Sequence, residues 1–207
     1  MARSLGAVNR VVPALSDALR YATRGRHERL HEWMARADPF ASRERYRRYL
    51  QVQHAFLDCA AAYGPALDAV LLEPLVWRCM ALDRDLADLG ASVAATSIPA
   101  NPVEPAHALG WLYVSEGSTL GAALLLREAT EHLGLSTDFG ARHLAAPPAG
   151  RAESWRRFRQ SIDAVVFDAT QRHQAINGAC VAFDTFASLL GQHFELEPNR
   201  LLSHSPP

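Results

Sequence analysis

The chain has 207 residues, of which 49% are hydrophobic, so it is long enough for one domain with a substantial core. Its formal net charge is −1, which argues against nucleic acid as the main partner. The sequence holds no apolar run of about 18 residues, so we expect no membrane span, and its first ten residues lack the apolar segment of a secretory signal.

Helical periodicity recurs along the chain and strand signals are nearly absent, so we predict an all-α single domain. The predicted helices span 13–36, 42–63, 66–89 with an interruption at Pro74, 104–133, 151–173 and 174–193. Residues 91–103 and the segment around Pro147 and Pro148 are predicted loops. In terms of domains, we expect an N-terminal extension over 1–12, a helical domain over 13–193 and a mobile C-terminal tail over 194–207.

Three cysteines occur singly among apolar residues on helical patterns, namely Cys59, Cys79 and Cys180. This pattern favours buried, reduced thiols and not a disulfide or a zinc site. Because reduced thiols persist in the cytosol, we expect a cytoplasmic protein.

Gly117 and Gly121 lie in the interior of the predicted helix 104–133, where each costs about 1 kcal/mol relative to alanine. Four residues correspond to about 400° of helix, so both glycines face nearly the same side. They expose a strip of bare backbone and permit a bend. Two interpretations are open, a close contact with another helix or a functional kink over a bound planar ligand.

All 21 basic side chains are arginine, and nine of them lie between Arg20 and Arg48. Four acidic residues lie in the same stretch, so it has a local excess of five positive charges. The stretch is either a solvated basic face or a surface that receives carboxylates or an acidic partner protein.

His27 is the candidate metal ligand of the first predicted helix. Arg20 precedes it by seven residues, about two helical turns, which places the two side chains on one face roughly 10 Å apart. That separation is similar to the distance from the iron of a haem to its propionates, and arginine pairs bidentately with carboxylates.

Two motifs carry a resemblance to a known family. The segment Thr23-Arg-Gly-Arg-His27 resembles the T-x-x-x-H proximal helix of haem oxygenases, and Tyr113-Val-Ser-Glu-Gly117-Ser-Thr-Leu-Gly121 resembles the glycine-rich distal helix of their bacterial members. The order of the motifs and the similarity of the last core helix extend the resemblance over most of residues 13–193. It implies a single-domain haem-oxygenase-like helical fold, with haem between a proximal helix and a Gly-kinked distal helix.

The resemblance also implies roles for individual residues. His27 is the expected iron ligand, and Gly117 and Gly121 let the distal backbone approach the haem where a Cβ would occupy the space of the oxygen ligand. Ser118 stands where better-known members have an aspartate that organises water, and a hydroxyl can also hold water. His31 stands where many members have a carboxylate that holds the second nitrogen of the proximal histidine. Either Glu28 or a water molecule therefore serves instead, or the ligand is less anionic.

For the remaining contacts of the haem, the resemblance assigns the propionates to Arg20 and Arg159 and a wall of the pocket to Phe183. The family cleaves haem at a meso carbon to biliverdin, carbon monoxide and free iron, so haem is both cofactor and substrate. The implied partners are haem, O2 and an electron-donor protein such as a ferredoxin or a flavin reductase, with no nucleic acid and no membrane.

Two alternatives remain open from the sequence. A haem-binding carrier or sensor that never turns haem over shares the histidine ligand but does not need the glycine kink. A helical di-iron protein uses Glu-x-x-His spacing, which occurs at Glu28–His31 and Glu104–His107, but the further carboxylates that such a site needs are not all present.

Overall fold

The computed structural model describes residues 12–91 and 104–196, and helices account for most of them. The helices are α1 Leu15–Ala37, α2 Arg43–Ala62, α3 Ala69–Asp88, α4 Pro105–Gly117, α5 Ala122–Leu133, α6 Arg151–Asp163 and α7 Ala169–Phe194. The prediction of an all-α fold is confirmed. None of the helices in the described part of the chain is long and apolar enough to cross a membrane. The predicted extension 1–12 and tail 194–207 lie mostly outside the described residues and stay predictions.

Helix α7 is the central element, and α1, α2 and α4 all pack against it. The rings of Phe56, Trp111 and Phe186 join α2, α4 and α7 at the centre of the core, with ring centroids 5.5 and 5.2 Å apart. Burial of such large aromatic side chains supplies much of the hydrophobic stabilisation of a domain. This packing fixes α1 and α4, the two helices that carry the predicted site, relative to one shared helix.

The backbones of α4 and α7 are in direct contact at two glycines. A Cβ added at Gly110 would lie 2.0 Å from the carbonyl oxygen of Ala175, and one added at Gly178 would lie 2.1 Å from the carbonyl oxygen of His107. Only glycine fits at either position, because any side chain would overlap the facing helix.

Two predicted helix boundaries are wrong. Pro74 does not interrupt the third helix, since α3 runs through it. The carbonyl of Val70 loses its helical donor there, but Val70 is 77% exposed and water can replace that donor. The last two helices are separated at residues 164–168 and not at 173, because Asp168 and Gln171 form a capping box that starts α7.

The three cysteines are free thiols, but they lie at partly buried positions, so the prediction that they are buried in the core is wrong. Cys59 and Cys79 pack against the core from its edge. Burial raises the pKa of the Cys79 thiol to about 11 and also raises the pKa of Cys59. Both thiols are therefore protonated and unreactive at neutral pH.

Candidate functional site

The α-helix of the distal segment is interrupted between the two glycines at which the sequence predicted a kink. Helix α4 ends at Gly117, residues Ser118–Leu120 form a single turn of 3-10 helix, and α5 begins at Ala122. Tighter turns of this kind mark bends and functional hinges within helices. The segment 105–133 is therefore two helices joined by a short break, and not one continuous helix.

Two hydroxyl groups bond back to the helix at this break. Ser118 Oγ donates to the carbonyl oxygen of Ser115 at 2.7 Å, and Thr119 Oγ1 donates to the carbonyl oxygen of Glu116 at 2.6 Å. Carbonyls in the last turn of a helix lack intrahelical donors, and these side chains supply them. The Gly-Ser-Thr sequence thus caps the end of α4 with its own side chains.

A buried arginine from another helix contacts the same break. Arg78 of α3 is 6% exposed, and its Nη1 donates to the carbonyl oxygen of Ser115 at 2.7 Å while Nη2 donates to Ser118 Oγ at 3.1 Å. Its charge faces the buried carboxylate of Glu116, with 3.8 Å between Nη1 and Oε1. Burial raises the pKa of Glu116, and Arg78 opposes that rise. Sequence reasoning missed Arg78, although an arginine inside the apolar run 75–82 was a visible signal.

The glycines at the break are not required by the packing of the protein itself. A Cβ added at Gly117 would lie 3.5 Å from the ring of Trp155, and the nearest atom to a Cβ at Gly121 would be the carbonyl oxygen of Ser118 at 3.8 Å. Both distances are ordinary van der Waals contacts. Of the two interpretations of this glycine pair, the close helix–helix contact is wrong, since Gly110 and Gly178 make that contact instead.

His27 lies on an exposed part of α1, where its ring meets two others. Its centroid is 4.6 Å from that of His31 and 6.1 Å from that of Phe183, and both contacts are edge-on. Within residues 12–91 and 104–196 the imidazole makes no hydrogen bond. Partial burial and the neighbouring His31 lower the pKa of His27, while Glu28 opposes this shift. The result is a neutral imidazole, the form that binds metals.

The two predicted propionate ligands lie near one buried tyrosine. Arg159 of α6 donates to Ser16 Oγ at 3.0 Å and to Asp17 Oδ1 at 3.1 Å, so it joins α6 to the start of α1. Burial raises the pKa of the Tyr113 hydroxyl, whereas the charges of Arg159 and Arg20 lower it. Both guanidinium groups thus lie close enough to Tyr113 for their charges to act on its hydroxyl. Tyr113 belongs to the distal motif, but nothing in the spacing of the motif assigns this residue a separate role.

A family model described as heme oxygenase matches residues 13–192. The chain is 39% identical over 184 residues to heme oxygenase PigA of Pseudomonas aeruginosa, a match that covers 86% of this chain and 92% of the relative.

The chain belongs to the haem oxygenase family.

Solved structures agree with this assignment. The NO- and CO-bound heme oxygenase of Neisseria meningitidis is similar with a TM-score of 0.79 and 31% identity, over 91% of this chain and 96% of that chain. Heme oxygenase of Leptospira interrogans is similar with a TM-score of 0.70 and 14% identity, over 87% of this chain and 100% of that chain. The second match shows a shared fold alone.

The residues of the candidate site fit a haem of the kind that haem oxygenases use. His27 presents a neutral imidazole with no hydrogen-bond partner in the described ranges. Gly117 and Gly121 keep a strip of backbone clear that neighbouring side chains do not need. Arg20 forms no ion pair with any described residue, which leaves its guanidinium free for a carboxylate.

Other parts of the described structure offer less for this chemistry. A surface groove of about 280 Å³ between α3 and residues 137–145 contains none of the predicted site residues. No three His, Cys, Asp or Glu side chains among the described residues are grouped to hold a metal ion, so the di-iron alternative finds no support there. Glu104, which that alternative needs, is an exposed residue at the start of α4.

The arginine-rich stretch of α1 and α2 is not a uniform charged face. Arg45 donates to the carbonyl oxygens of Ala37 and Asp38 at the end of α1. Arg43 donates to the carbonyl oxygen of Leu133 at the end of α5. Ion pairs of the same stretch include Arg24–Glu28, Arg26–Asp184, Arg47–Glu44 and Arg48–Glu44. Several of these arginines therefore hold the fold together, which their local excess of charge does not reveal.

Proposed function

We propose that this member of the haem oxygenase family cleaves haem at a meso carbon to biliverdin, carbon monoxide and free iron, with O2 and electrons from an external donor. The proposal is carried by two observations together: the imidazole of His27 makes no hydrogen bond to a described residue, and the packing of the protein does not require the glycines of the helix break. Haem, when bound, supplies the redox-active iron and is itself the substrate.

On the proximal side, we assign the iron to the imidazole of His27. The edge-on ring of Phe183 restricts the orientation of this imidazole and walls the pocket. No described carboxylate accepts a hydrogen bond from the second nitrogen of the ring, and its neighbour is His31. The ligand is therefore less anionic than one that is paired with a carboxylate, which weakens electron donation to the metal.

On the distal side, Gly117 and Gly121 let the main chain approach the haem face, and Ser118 holds water beside it. The hydroxyl hydrogen of Ser118 is already donated to the carbonyl oxygen of Ser115, and one of its lone pairs accepts from Arg78. Its second lone pair remains for a water molecule. Ser118 thus acts toward water as an acceptor only, a narrower role than that of an aspartate.

At the edge of the haem, Arg20 and Arg159 hold the propionates. Arg20 forms no ion pair with the described residues, and Arg159 is already oriented by Ser16 and Asp17. The hydroxyl of Tyr113, which both guanidinium charges influence, is a third donor for the same carboxylates. A preorganised set of donors orients the macrocycle and so selects which part of it faces the distal glycines.

The electron donor is a protein with an acidic surface, such as a ferredoxin or a flavin reductase, that docks on the exposed face of α1. Arg24 is 79% exposed at its side chain and pairs only with the neighbouring Glu28, while Arg29 is exposed and forms no ion pair with a described residue. Exposed pairs of this kind are weak and readily exchanged for an acidic partner. A cytoplasmic location, where thiols such as Cys59 stay reduced, belongs to the same proposal.

A haem carrier or sensor is the alternative, and one experiment separates the two. Purified protein is loaded with haem, and its Soret band is followed in air after addition of ascorbate. An oxygenase loses the band as biliverdin absorbance appears, whereas a carrier is reduced and keeps a stable Soret band.

A further inference from the structure

Arg78 is a charged side chain that the fold has buried beside the distal break, although it lies in a different helix from both recognised motifs. Its side chain is 8% exposed, and all three of its hydrogen bonds go to two residues, Ser115 and Ser118. Placing an arginine in such an environment is costly unless its charge is paired and its donors are satisfied. The cost of burying Arg78 is therefore offset either by a contribution to function or by a contribution to the stability of the fold.

The geometry of these hydrogen bonds identifies what Arg78 holds. Nη1 bonds the carbonyl oxygen and the hydroxyl of Ser115, which belongs to the last turn of α4. Nη2 bonds the hydroxyl of Ser118, which is the first residue of the 3-10 turn. The planar guanidinium therefore spans the point at which the α-helical backbone changes to the tighter turn. A lysine has no such fork and could satisfy only one of the two sides at a time.

The carboxylate of Glu116 has a different part in the arrangement. Its Oε1 lies 3.8 Å from Nη1 of Arg78, which is an ion-pair distance. The same Oε1 is buried and makes no hydrogen bond to a described residue. Glu116 therefore compensates the charge of Arg78 but does not fix the orientation of its guanidinium group. That orientation is set by the hydrogen bonds to Ser115 and Ser118, which lie on the two sides of the point where α4 ends.

We propose that Arg78 is a positioning residue of the distal site, which holds the break between α4 and α5 in its bent form before haem binds. The inference rests on the proposed function, because the break matters only if its glycines face the haem. Held in this way, the backbone at Gly117 and Gly121 is already in place before haem binds. Haem binding then does not include the entropy cost of ordering this backbone.

Amide hydrogen exchange on the protein without haem tests the clamp directly. Loss of the charge-assisted hydrogen bonds of Arg78 corresponds to a change of about tenfold or more in local opening. We expect peptides that cover residues 115–125 to exchange about tenfold or more faster in Arg78→Met and in Arg78→Lys than in the parent protein. Arg84→Met, which removes an exposed arginine from the same helix, is the matched control and should exchange like the parent.

Two further variants separate the clamp from the charge balance. The double variant Arg78→Met with Glu116→Gln leaves no uncompensated buried carboxylate, and we expect its exchange at 115–125 to stay fast. Ser118→Ala removes one side of the clamp but keeps Arg78 paired, and it should speed exchange less than Arg78→Met does. It also serves as the test variant if Arg78→Met fails to fold.

A spectroscopic signature distinguishes positioning from simple stabilisation. In haem-loaded Arg78→Lys, the axial histidine signature should be that of the parent, while the C–O stretching band of the ferrous carbon monoxide complex shifts or broadens. In Arg84→Met neither should change. Parent-like exchange in Arg78→Met, or full recovery of protection in the double variant, would overturn the inference. Because exchange is measured without haem, this outcome is independent of whether the protein turns haem over.

Discussion

Gly110 of α4 packs directly on the backbone of α7, where a Cβ would lie 2.0 Å from the carbonyl oxygen of Ala175. Gly121, eleven residues later, has no such neighbour, since the nearest atom to a Cβ there is the carbonyl oxygen of Ser118 at 3.8 Å. The packing of the protein thus explains Gly110 but not Gly121, for which we propose a role in the site.

This difference predicts opposite effects on stability. Gly110→Ala should lower the free energy of unfolding by about 3 kcal/mol or more, because the helices must separate to admit the methyl group. Gly121→Ala should leave it unchanged or raise it by up to about 1 kcal/mol, since alanine favours helical backbone. Urea denaturation of the protein without haem measures both values. If Gly121→Ala were as destabilising as Gly110→Ala, packing and not the ligand would explain the glycine at the break.

Gly121→Leu should reduce biliverdin formation by about a hundredfold while haem still binds, because the side chain extends toward the space that the bound oxygen needs. The His27 ligand lies on another helix, so the axial histidine spectrum should persist. Gly117→Leu is a less clean test, since its side chain also meets Trp155. An unchanged yield in Gly121→Leu would contradict the role assigned to the break.

His27→Ala should convert the histidine-type haem spectrum to a weak, water-ligated one and abolish turnover. His31→Ala should keep the axial histidine, since the two rings are neighbours only through an edge-on contact. Electron paramagnetic resonance of the ferric protein identifies the axial ligand in each variant. Loss of the histidine signature in His31→Ala alone would move the ligand by one helical turn.

Much of the fold follows from local sequence signals, and the parts that do not follow depend on contacts distant in sequence. The periodicity of the helices and the glycine pair predicted the break at 117–121. The capping box at Asp168 was also local, and it was overlooked. The clamp formed by Arg78 joins residues 37 and 40 positions apart, so no spacing along the chain points to it.

The arginine-rich stretch shows the same limit. Composition predicted a basic surface, but Arg45 caps the end of α1 and its guanidinium also lies 5.4 Å from the ring centroid of Phe194. Charge counts along a sequence do not separate arginines that bond to carbonyl groups from arginines that face a partner. The site roles of Arg20, Arg159 and Phe183 stay predictions, because only a structure with bound haem would test them.

The free energy of unfolding should decrease as the pH falls, and the buried His143 should account for part of this decrease. Its Nδ1 lies 2.8 Å from Oδ2 of Asp85, which is fully buried. Burial lowers the pKa of His143, Asp85 opposes this shift and Arg78 adds to it. As the pH falls, His143 is therefore protonated in the unfolded chain before it is protonated in the folded chain. The free energy of unfolding thus decreases as the pH falls below about 6.5.

His143→Asn keeps a donor for Asp85 but does not titrate, so the decrease in stability between pH 7.5 and pH 5.5 should be smaller in this variant. The exposed His173 provides the matched control, His173→Asn, whose pH profile should follow the parent. Denaturant unfolding of the protein without haem, repeated across this pH range, gives the comparison. Equal slopes in His143→Asn and the parent would show that His143 titrates alike in the folded and unfolded chains.

Turnover driven by an acidic protein donor should fall steeply between low and physiological ionic strength, because charge complementarity acts mainly on the rate of encounter. With a neutral small reductant, the rate should be nearly constant. Arg24→Glu combined with Arg29→Glu should reproduce the effect of salt without changing haem affinity, and Arg84→Glu on α3 is the control. Equal salt dependence for the two reductants would leave the basic stretch as a solvated face.

The central claim is that this helix break, opposite His27, directs oxygen to a meso carbon of haem. Carbon monoxide released per haem consumed tests it most directly, measured side by side in the parent protein and in Gly121→Leu, both loaded with haem and supplied with ascorbate in air. We predict one carbon monoxide per haem with biliverdin as the product in the parent, and little of either in Gly121→Leu. Stable haem without carbon monoxide in the parent, or equal release from the variant, would contradict the account.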